Sequence, residues 1–280
     1  MTTNTAKITA ATPRTWRRFK FPQSLIKYVI LLVILVFVAI SIEYLNVHLS
    51  RFSDMFGRLW RLFSQRYYPP DIPYILESEY LGYVVETVKM AYLGALFGIL
   101  LSIPLSWFAS FNMSPNRRYL YPIARLILML CRSVHEMIWT ILFVTILGFG
   151  MLPGVLALSL FSLGFTGKLF SEEIEAINRG QVEAIQATGA NPLKVFVYAV
   201  LPQVRVAWTG IAIYTWDAAF RAATVVGFFG AGGMGWYLRR TVQQVESTRV
   251  AAILLSIIFL VLISEVTSAW ARNRVAGKTR

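Results

Sequence analysis

Charge is what this 280-residue sequence has least of: 15% of its residues are charged and only 14 are acidic, where a soluble domain carries about a quarter. Two histidines and one cysteine, widely spaced, make no metal-ligand set. Cys131 can form no intrachain disulfide and, in its apolar stretch, reads as a small core residue. No nucleophile–base grouping is visible, so an enzyme has nowhere to put its chemistry. What remains is apolar: 56% hydrophobic residues, 14% aromatic and a mean hydropathy of +0.58. The apolar residues lie in blocks near the ~20 residues that cross a hydrocarbon core as helix. The expected fold is all-α and polytopic, with the lipid bilayer as solvent.

A net charge of +13 would raise the question of nucleic acid in a soluble protein. Here the basic residues flank apolar blocks: Arg14, Arg17, Arg18, Lys20 and Lys27, then Arg117 and Arg118, then Arg272, Arg274, Lys278 and Arg280. That is the positive-inside pattern, and it speaks for orientation and against nucleic acid. Residues 1–13 are polar and expected to be disordered. Tyr28–Leu45 is too long and uniform for a signal-peptide core and lacks a small-residue cleavage site, so it reads as an uncleaved anchor.

The hydropathy pattern predicts about six transmembrane helices: 28–47, 82–109, 119–147, 152–170, 197–222 and 249–270. A basic cytoplasmic N-terminus covers 1–27, an extracytoplasmic loop 48–81, a transmembrane core 82–270 with a polar stretch at 171–195, and a cytoplasmic C-terminus 271–280. With the N-terminus inside, the Arg117/Arg118 turn, the 171–195 stretch and the C-terminus are all cytoplasmic. Arg51, Arg58, Arg61 and Arg66 fall outside, against the rule, as do Arg239 and Arg240. Phe52, Met55, Phe56, Leu59, Trp60 and Phe63 recur there at helical spacing, which predicts an amphipathic helix lying on the outer membrane surface. Tyr67, Tyr68, Pro69, Pro70 and Pro73 end it. In the second span, Gly94-x-x-x-Gly98 suits a close helix approach. Pro104, Pro122 and Pro153 are tolerable where neighbours re-satisfy the freed backbone groups.

The stretch Ser171–Pro202, SEEIEAINRGQVEAIQATGANPLKVFVYAVLP, predicts two short helices and the entry to a span. Ser171 caps the first, with Glu172 and Glu173 in its opening turn, and Gly180 ends it. Gln181–Thr188 forms the second. Gly189 suits a left-handed C-terminal cap, and Asn191 and Pro192 suit the cap and first position of the next helix. Ala184, Ala187 and Thr188 offer a small-residue surface for docking. So short a helix is marginal alone in water and needs a surface to sit on.

Glu183-Ala184-Ile185, Gly189 six residues after the glutamate, and Leu201-Pro202 beyond it resemble the EAA loop of type I ABC importer permeases. In that family the loop is a coupling helix seated in a groove of a separate ATP-binding subunit. Ile185 stands where the pattern prefers Ala, and Ala199 where it often has Ile. Arg132-Ser133-Val134-His135-Glu136-Met137-Ile138-Trp139, Gly164-Phe-Thr-Gly167-Lys168-Leu169-Phe170, and the run Arg221 to Gly235 with Gly227, Gly230, Gly232 and Gly233 resemble phosphonate-importer permeases, over roughly residues 80–270. The resemblance implies a non-catalytic permease of the bacterial inner membrane with a five-helix core and no cofactor of its own. ATP and magnesium would sit on the partner ATPase, an extracytoplasmic binding protein would select the ligand, and two copies of the chain would form the passage by alternating access.

Ionisable residues inside spans are expensive and mark function by default. Glu86 and Lys89 can pair. Arg125, Arg132 and Glu136 fall on one face of a continuous third span, with His135 beside them. Arg132/Glu136 and Asp217/Arg221 are each four apart and can partly neutralise one another. The functional reading makes Arg132, Ser133, His135, Glu136, Asp217 and Arg221 part of an anion path, since arginine's planar fork meets a tetrahedral oxyanion at two points. Such a path lowers the barrier to passage without holding the ligand tightly.

Two motifs mislead. Gly230-x-Gly232-x-x-Gly235 fits a dinucleotide fingerprint by letter but lacks the strand–helix context; with Gly227 and Gly233 it reads as a flexible or closely packed segment near a gate. Gly164-x-x-Gly167-Lys168 lacks the spacing of a phosphate loop, and Leu169 replaces the magnesium-binding hydroxyl. Open alternatives are a permease of the same class for phosphite, phosphate or methionine, and a self-sufficient secondary transporter or channel. The latter predicts internally repeated halves or a coupling-ion relay, and no repeat is visible.

Overall fold

The computed structural model describes residues 22–45 and 49–277, and among these all regular structure is helical. The N-terminal segment 1–13, Arg14, Arg17, Arg18, Lys20, Lys278 and Arg280 lie outside the described residues. The chain forms two compact units that divide at Arg61/Leu62. In the first, α1 (Gln23–Tyr44) is apolar on every face, with Phe37, Leu32 and Leu35 exposed. Helix α2 (Leu49–Leu62) carries exposed Phe56, Leu59 and Trp60, and its Arg58 lies 3.8 Å from Asp54.

The second unit opens with a π-helical turn (Phe63–Tyr67) and the short α3 (Ile72–Ile75), followed by α4 (Ser78–Phe108), α5 (Leu120–Ser133), α6 (Glu136–Leu147) and α7 (Met151–Glu175). Then come α8 (Arg179–Ala187), α9 (Pro192–Val195), a π turn (Phe196–Val200), α10 (Leu201–Val226), a second π turn (Gly227–Ala231), α11 (Gly233–Gln243) and α12 (Ser247–Gly277). Among the described residues five helical stretches are long and apolar enough to cross a membrane, six if the bent pair α5–α6 is counted as one span.

Helix α7 is the centre, with α4, α5, α6 and α10 all packed on it and α4 most extensively. Its sequence explains this. Gly154, Ala157, Ser159, Ser162, Gly164 and Thr166 are buried, so partner backbones approach closely, which is how helices associate where lipid offers no hydrophobic drive. Gly94 and Gly98 of α4 sit in this contact, facing Leu158 and the Ser159–Leu163 backbone. Several hydroxyls are satisfied within their own helices: Ser102 donates to the Ile99 carbonyl and Ser159 to that of Val155, each at 2.7 Å, whereas the buried Ser162 hydroxyl has no partner among the described residues. Between helices, the Thr166 and Thr215 hydroxyls meet at 2.8 Å.

The third span is not one helix. Val134 and His135 are extended, and α5 and α6 meet at 91°. His135 caps α6, its ring accepting from the Met137 N–H at 3.4 Å, and Glu136 opens that helix. Arg132 and Glu136 therefore do not share a helical face and make no ion pair with each other; Glu136 lies 3.3 Å from His135 instead.

Helix α7 also runs past the expected end of its span. Ser171 is buried within it, donating to the Lys168 carbonyl, and caps nothing. Gly180 stands in the first turn of α8, not at a helix end.

Candidate functional site

Two places in the second unit hold the residues singled out by sequence. They are called here the loop end, which carries residues 176–195, and the bend between α5 and α6.

At the loop end α8 is fixed by its flanks. The Asn178 side chain accepts from Gly180 N–H at 2.9 Å, Gly189 takes φ +76, and Asn191 accepts from Lys194 N–H at 2.9 Å ahead of Pro192. A left-handed residue at that position lets the chain leave the helix at no steric cost only if it lacks a Cβ. Val182 is buried and Ile185 half-buried on a cluster of Phe170, Ile174, Phe196 and Trp208, whose Phe170 and Trp208 rings stack at 4.2 Å. Glu183, Ala184 and Ala187 are exposed on the other side, and Glu183 lines a 210 Å³ notch with Arg117 and Arg179. Ile185 thus anchors α8 inward, with Leu201 packed against the same cluster, while Pro202 is exposed at the start of α10.

The anchorage extends through residues that the sequence pattern did not flag. Gln203 of α10 accepts from Asn178 N–H at 3.0 Å and donates to the Ala199 carbonyl at 2.7 Å. Glu175 accepts from Phe111 N–H at 2.8 Å and from Arg125 at 2.6 Å, and Asn112 donates to the Ile174 carbonyl. Gln203 thus links the N-terminal cap of α8 to α10. The end of α7 is tied separately to the turn between α4 and α5.

At the bend, Arg132 lies about midway along the α5–α6 pair. Its stem crosses Gly164, where a Cβ would stand 2.9 Å from Arg132 Cγ, and Gly167 makes the same room for Leu128. The Gly164-x-x-Gly167 pair is thus the seat of α5 on α7. Arg132, Ser133, Lys168 and Arg125 line a cavity of about 880 Å³. Among the described residues no acidic group pairs with Arg132, which is exposed within its unit, as are Ser133 and His135.

The other charges are arranged differently. Asp217, 1% exposed, meets Arg221 at 2.5 Å and accepts from Ser264 of α12 at 3.0 Å, while Arg221 also reaches Glu265 at 3.1 Å. That network ties α10 to α12. Glu86 does not pair with Lys89: its carboxylate accepts from Gly233 N–H at 2.9 Å, beside Thr87 accepting from Met234 N–H at 2.8 Å. Two α4 side chains so cap the N-terminus of α11, where a negative charge is favoured.

The glycine-rich run is closely packed. A Cβ on Gly227 would lie 2.5 Å from the Gly232 carbonyl oxygen and one on Gly235 2.5 Å from Phe228 N, while Gly230, Gly232 and Gly233 have positive φ. Together they turn α10 sharply into α11.

Residues 98–277 match the family described as binding-protein-dependent transport system inner membrane component. The chain belongs to that family. It is a permease subunit of an ABC importer, with ATP hydrolysis on a separate subunit. The permease is 40% identical over 208 residues to a phosphite transport system permease protein of Stutzerimonas stutzeri, covering 73% of this chain and 74% of that one. It is 34% identical over 196 residues to a phosphate-import permease protein of Mycolicibacterium smegmatis, covering 70% of this chain and 37% of that one. Over 119 residues it is 40% identical to a putative cryptic phosphonate transport system permease protein of Escherichia coli K12, covering 42% of this chain and 98% of that one. Its fold is shared with the inward-facing methionine ABC transporter MetNI, at a TM-score of 0.59 and 20% identity over 70% of this chain and 95% of that one. An alginate-importing ABC transporter gives a TM-score of 0.62 at 17% identity, over 92% and 99% of the two chains.

Within the permease fold the two places separate by chemistry. The loop end presents a short, rigidly held helix with a small-residue face, suited to transmitting force. The bend presents to a cavity a guanidinium with no acidic partner among the described residues, while the Ser133 hydroxyl beside it donates to the Met129 carbonyl.

Proposed function

We propose that this permease carries a small phosphorus oxyanion, a phosphonate, from an extracytoplasmic binding protein into the cytoplasm. The observation that carries the reading is Arg132, a guanidinium at a helix bend that faces a cavity and has no carboxylate among the described residues. A charge at that depth in a bilayer is costly unless something compensates it in use, and a phosphonate offers up to two charges and three acceptor oxygens to an arginine fork. His135 stands beside it as a further donor through its second ring nitrogen, since the first accepts from Met137 N–H; the Ser133 hydroxyl donates to the Met129 carbonyl at 2.7 Å. The identities to permeases named for phosphite, phosphate and phosphonate transport support the same cargo class. Phosphite is the second reading, favoured by the 40% identity over 208 residues to a phosphite permease.

The loop end is assigned to the cytoplasm, with both chain termini, because the segments assigned there carry the basic flanks: Arg117 and Arg118 in the turn between α4 and α5, and Arg272 and Arg274 at the end of α12. There α8 seats on the cytoplasmic ATPase with Glu183, Ala184 and Gly189 at the contact; ATP and magnesium belong to that partner. Two permease chains, in the simplest case two copies of this one, enclose the path. ATP-driven closure of the ATPases moves α8, and Gln203 carries that motion into α10. The packed glycine segment at the opposite end, Gly227 to Gly235, holds the outer mouth.

The test is reconstitution into liposomes with the cognate ATPase and binding protein. ATP-dependent uptake of methylphosphonate is expected, with phosphite competing. Uptake of methionine in place of oxyanions would overturn the cargo, and uptake without an ATPase would overturn the mechanism.

A further inference from the structure

The cavity between α5 and α7 holds three cations that are not equivalent. Arg132, at the bend, has no acidic partner among the described residues. Lys168 lies one helical turn beyond Gly164 toward the loop end and keeps its ammonium 3.2 Å from Glu172. Arg125 lies two turns from Arg132 in the same direction; it is held at 2.6 Å by Glu175 and donates to the Ala109 carbonyl at 2.7 Å. Along one groove the positive charge therefore falls from uncompensated to compensated. Sequence reasoning had set Lys168 aside as part of a false phosphate loop.

We propose that this groove is a graded release path for a tetrahedral oxyanion, in which Lys168 is the second contact and Glu172 sets how tightly it grips. The inference rests on the oxyanion reading of the cargo. A carrier path must attract its ion enough to admit it and weakly enough to let it go. Arg132 supplies attraction at mid-bilayer, where charge-assisted hydrogen bonds are strongest. Lys168 shares its protons with Glu172, so it receives the anion on weaker terms. At Arg125 the guanidinium is already engaged by Glu175 and a backbone carbonyl, and the anion leaves toward the loop end. Neutralising Glu172 should turn the middle contact into a trap.

The test uses the complete importer in nanodiscs of phosphatidylcholine, which carries no net charge, with methylphosphonate as probe. Glu172→Gln is the variant of choice because the side chain is 46% exposed and its loss threatens no packing. It should retain methylphosphonate about tenfold more tightly in the absence of the binding protein, as gaining one charged contact implies, and slow ATP-driven uptake while ATPase association is unchanged. Lys168→Gln added to Glu172→Gln should reverse the retention, and Arg132→Gln should abolish it. If wild type transports methylphosphonate but Glu172→Gln changes neither retention nor uptake, the graded path is wrong and the cargo stands. If wild type carries no oxyanion at all, the cargo reading fails and the path with it. Retention of added anionic phospholipid in place of methylphosphonate would reassign the groove to lipid and overturn the proposal.

Discussion

Replacing Gly98 by alanine tests the α4–α7 contact on which the second unit is assembled. A Cβ at Gly98 would lie 2.6 Å from the Ser159 carbonyl oxygen and 2.8 Å from Leu163 N, both backbone atoms of α7. Ordinary contact requires about 3.5 Å, so the helices must part by roughly 1 Å. Backbone cannot rotate out of the way, and forcing an extra carbon into such a seam costs about 1–3 kcal/mol. Alanine's better helix propensity returns only about 0.5–1 kcal/mol. Gly82, on the same helix, has nothing within 4 Å of its Cβ position, so Gly82→Ala collects the propensity gain alone. Thermal unfolding in detergent, followed by tryptophan fluorescence, should separate the two. At about 2–4 °C per kcal/mol for a chain of this size, Gly98→Ala should melt several degrees below wild type and Gly82→Ala slightly above it. A Gly98→Ala protein melting at or above Gly82→Ala would mean that α4 and α7 do not meet in this register.

Other perturbations follow from the same contacts. Glu183→Arg, or Gly189→Asp at φ +76, should weaken retention of the ATPase on affinity resin by about tenfold or more while the purified permease still folds. Arg221→Gln strands the buried Asp217 carboxylate and should cost about 2–3 kcal/mol; adding Asp217→Asn should recover most of it, as a double-mutant cycle by thermal unfolding will show. Burial pushes the Tyr237 phenol above its ordinary value of 10, with Tyr74 beside it adding to the shift. Its stability contribution is therefore complete below pH 10 and lost as pH rises beyond, because the unfolded phenol ionises first. A fall in melting temperature above pH 10 that Tyr237→Phe diminishes would confirm it.

The spans were legible because twenty apolar residues can do little else in this composition, and the short helix α8 because Gly189, Asn191 and Pro192 each fit one backbone position. The bend in the third span was not legible. No proline or glycine marks it; Val134 and His135 are extended, and His135 caps α6, a role histidine rarely advertises in sequence. With the bend unseen, Arg132 and Glu136 looked like an intrahelical pair. Glu86 misled similarly, since i,i+3 spacing to Lys89 is visible in sequence while the N-terminus of α11, nearly 150 residues away, is not. A local signal for Gln203 and Glu175 does not exist: each acts on backbone brought to it by the fold.

The intramembrane charges sort the faces of the helices more sharply than hydropathy does. Asp217 and Arg221 are satisfied by each other and by α12, so their cost is met within the chain and they require nothing further from their surroundings. Arg125 is likewise met by Glu175 and a backbone carbonyl. Arg132 is not met, although Met129 and Leu126 on the same helix are exposed and apolar enough for lipid. An unpaired guanidinium inside a span is costly in hydrocarbon and seeks water, an anion or a partner chain. By contrast Leu100 and Leu101 of α4, and Ile258, Phe259 and Leu262 of α12, are exposed and apolar, and Glu265, one turn beyond Leu262, is engaged by Arg221. Lipid suits those faces, and on the proposed oxyanion reading the side of the permease bearing Arg132 is the one turned to the passage.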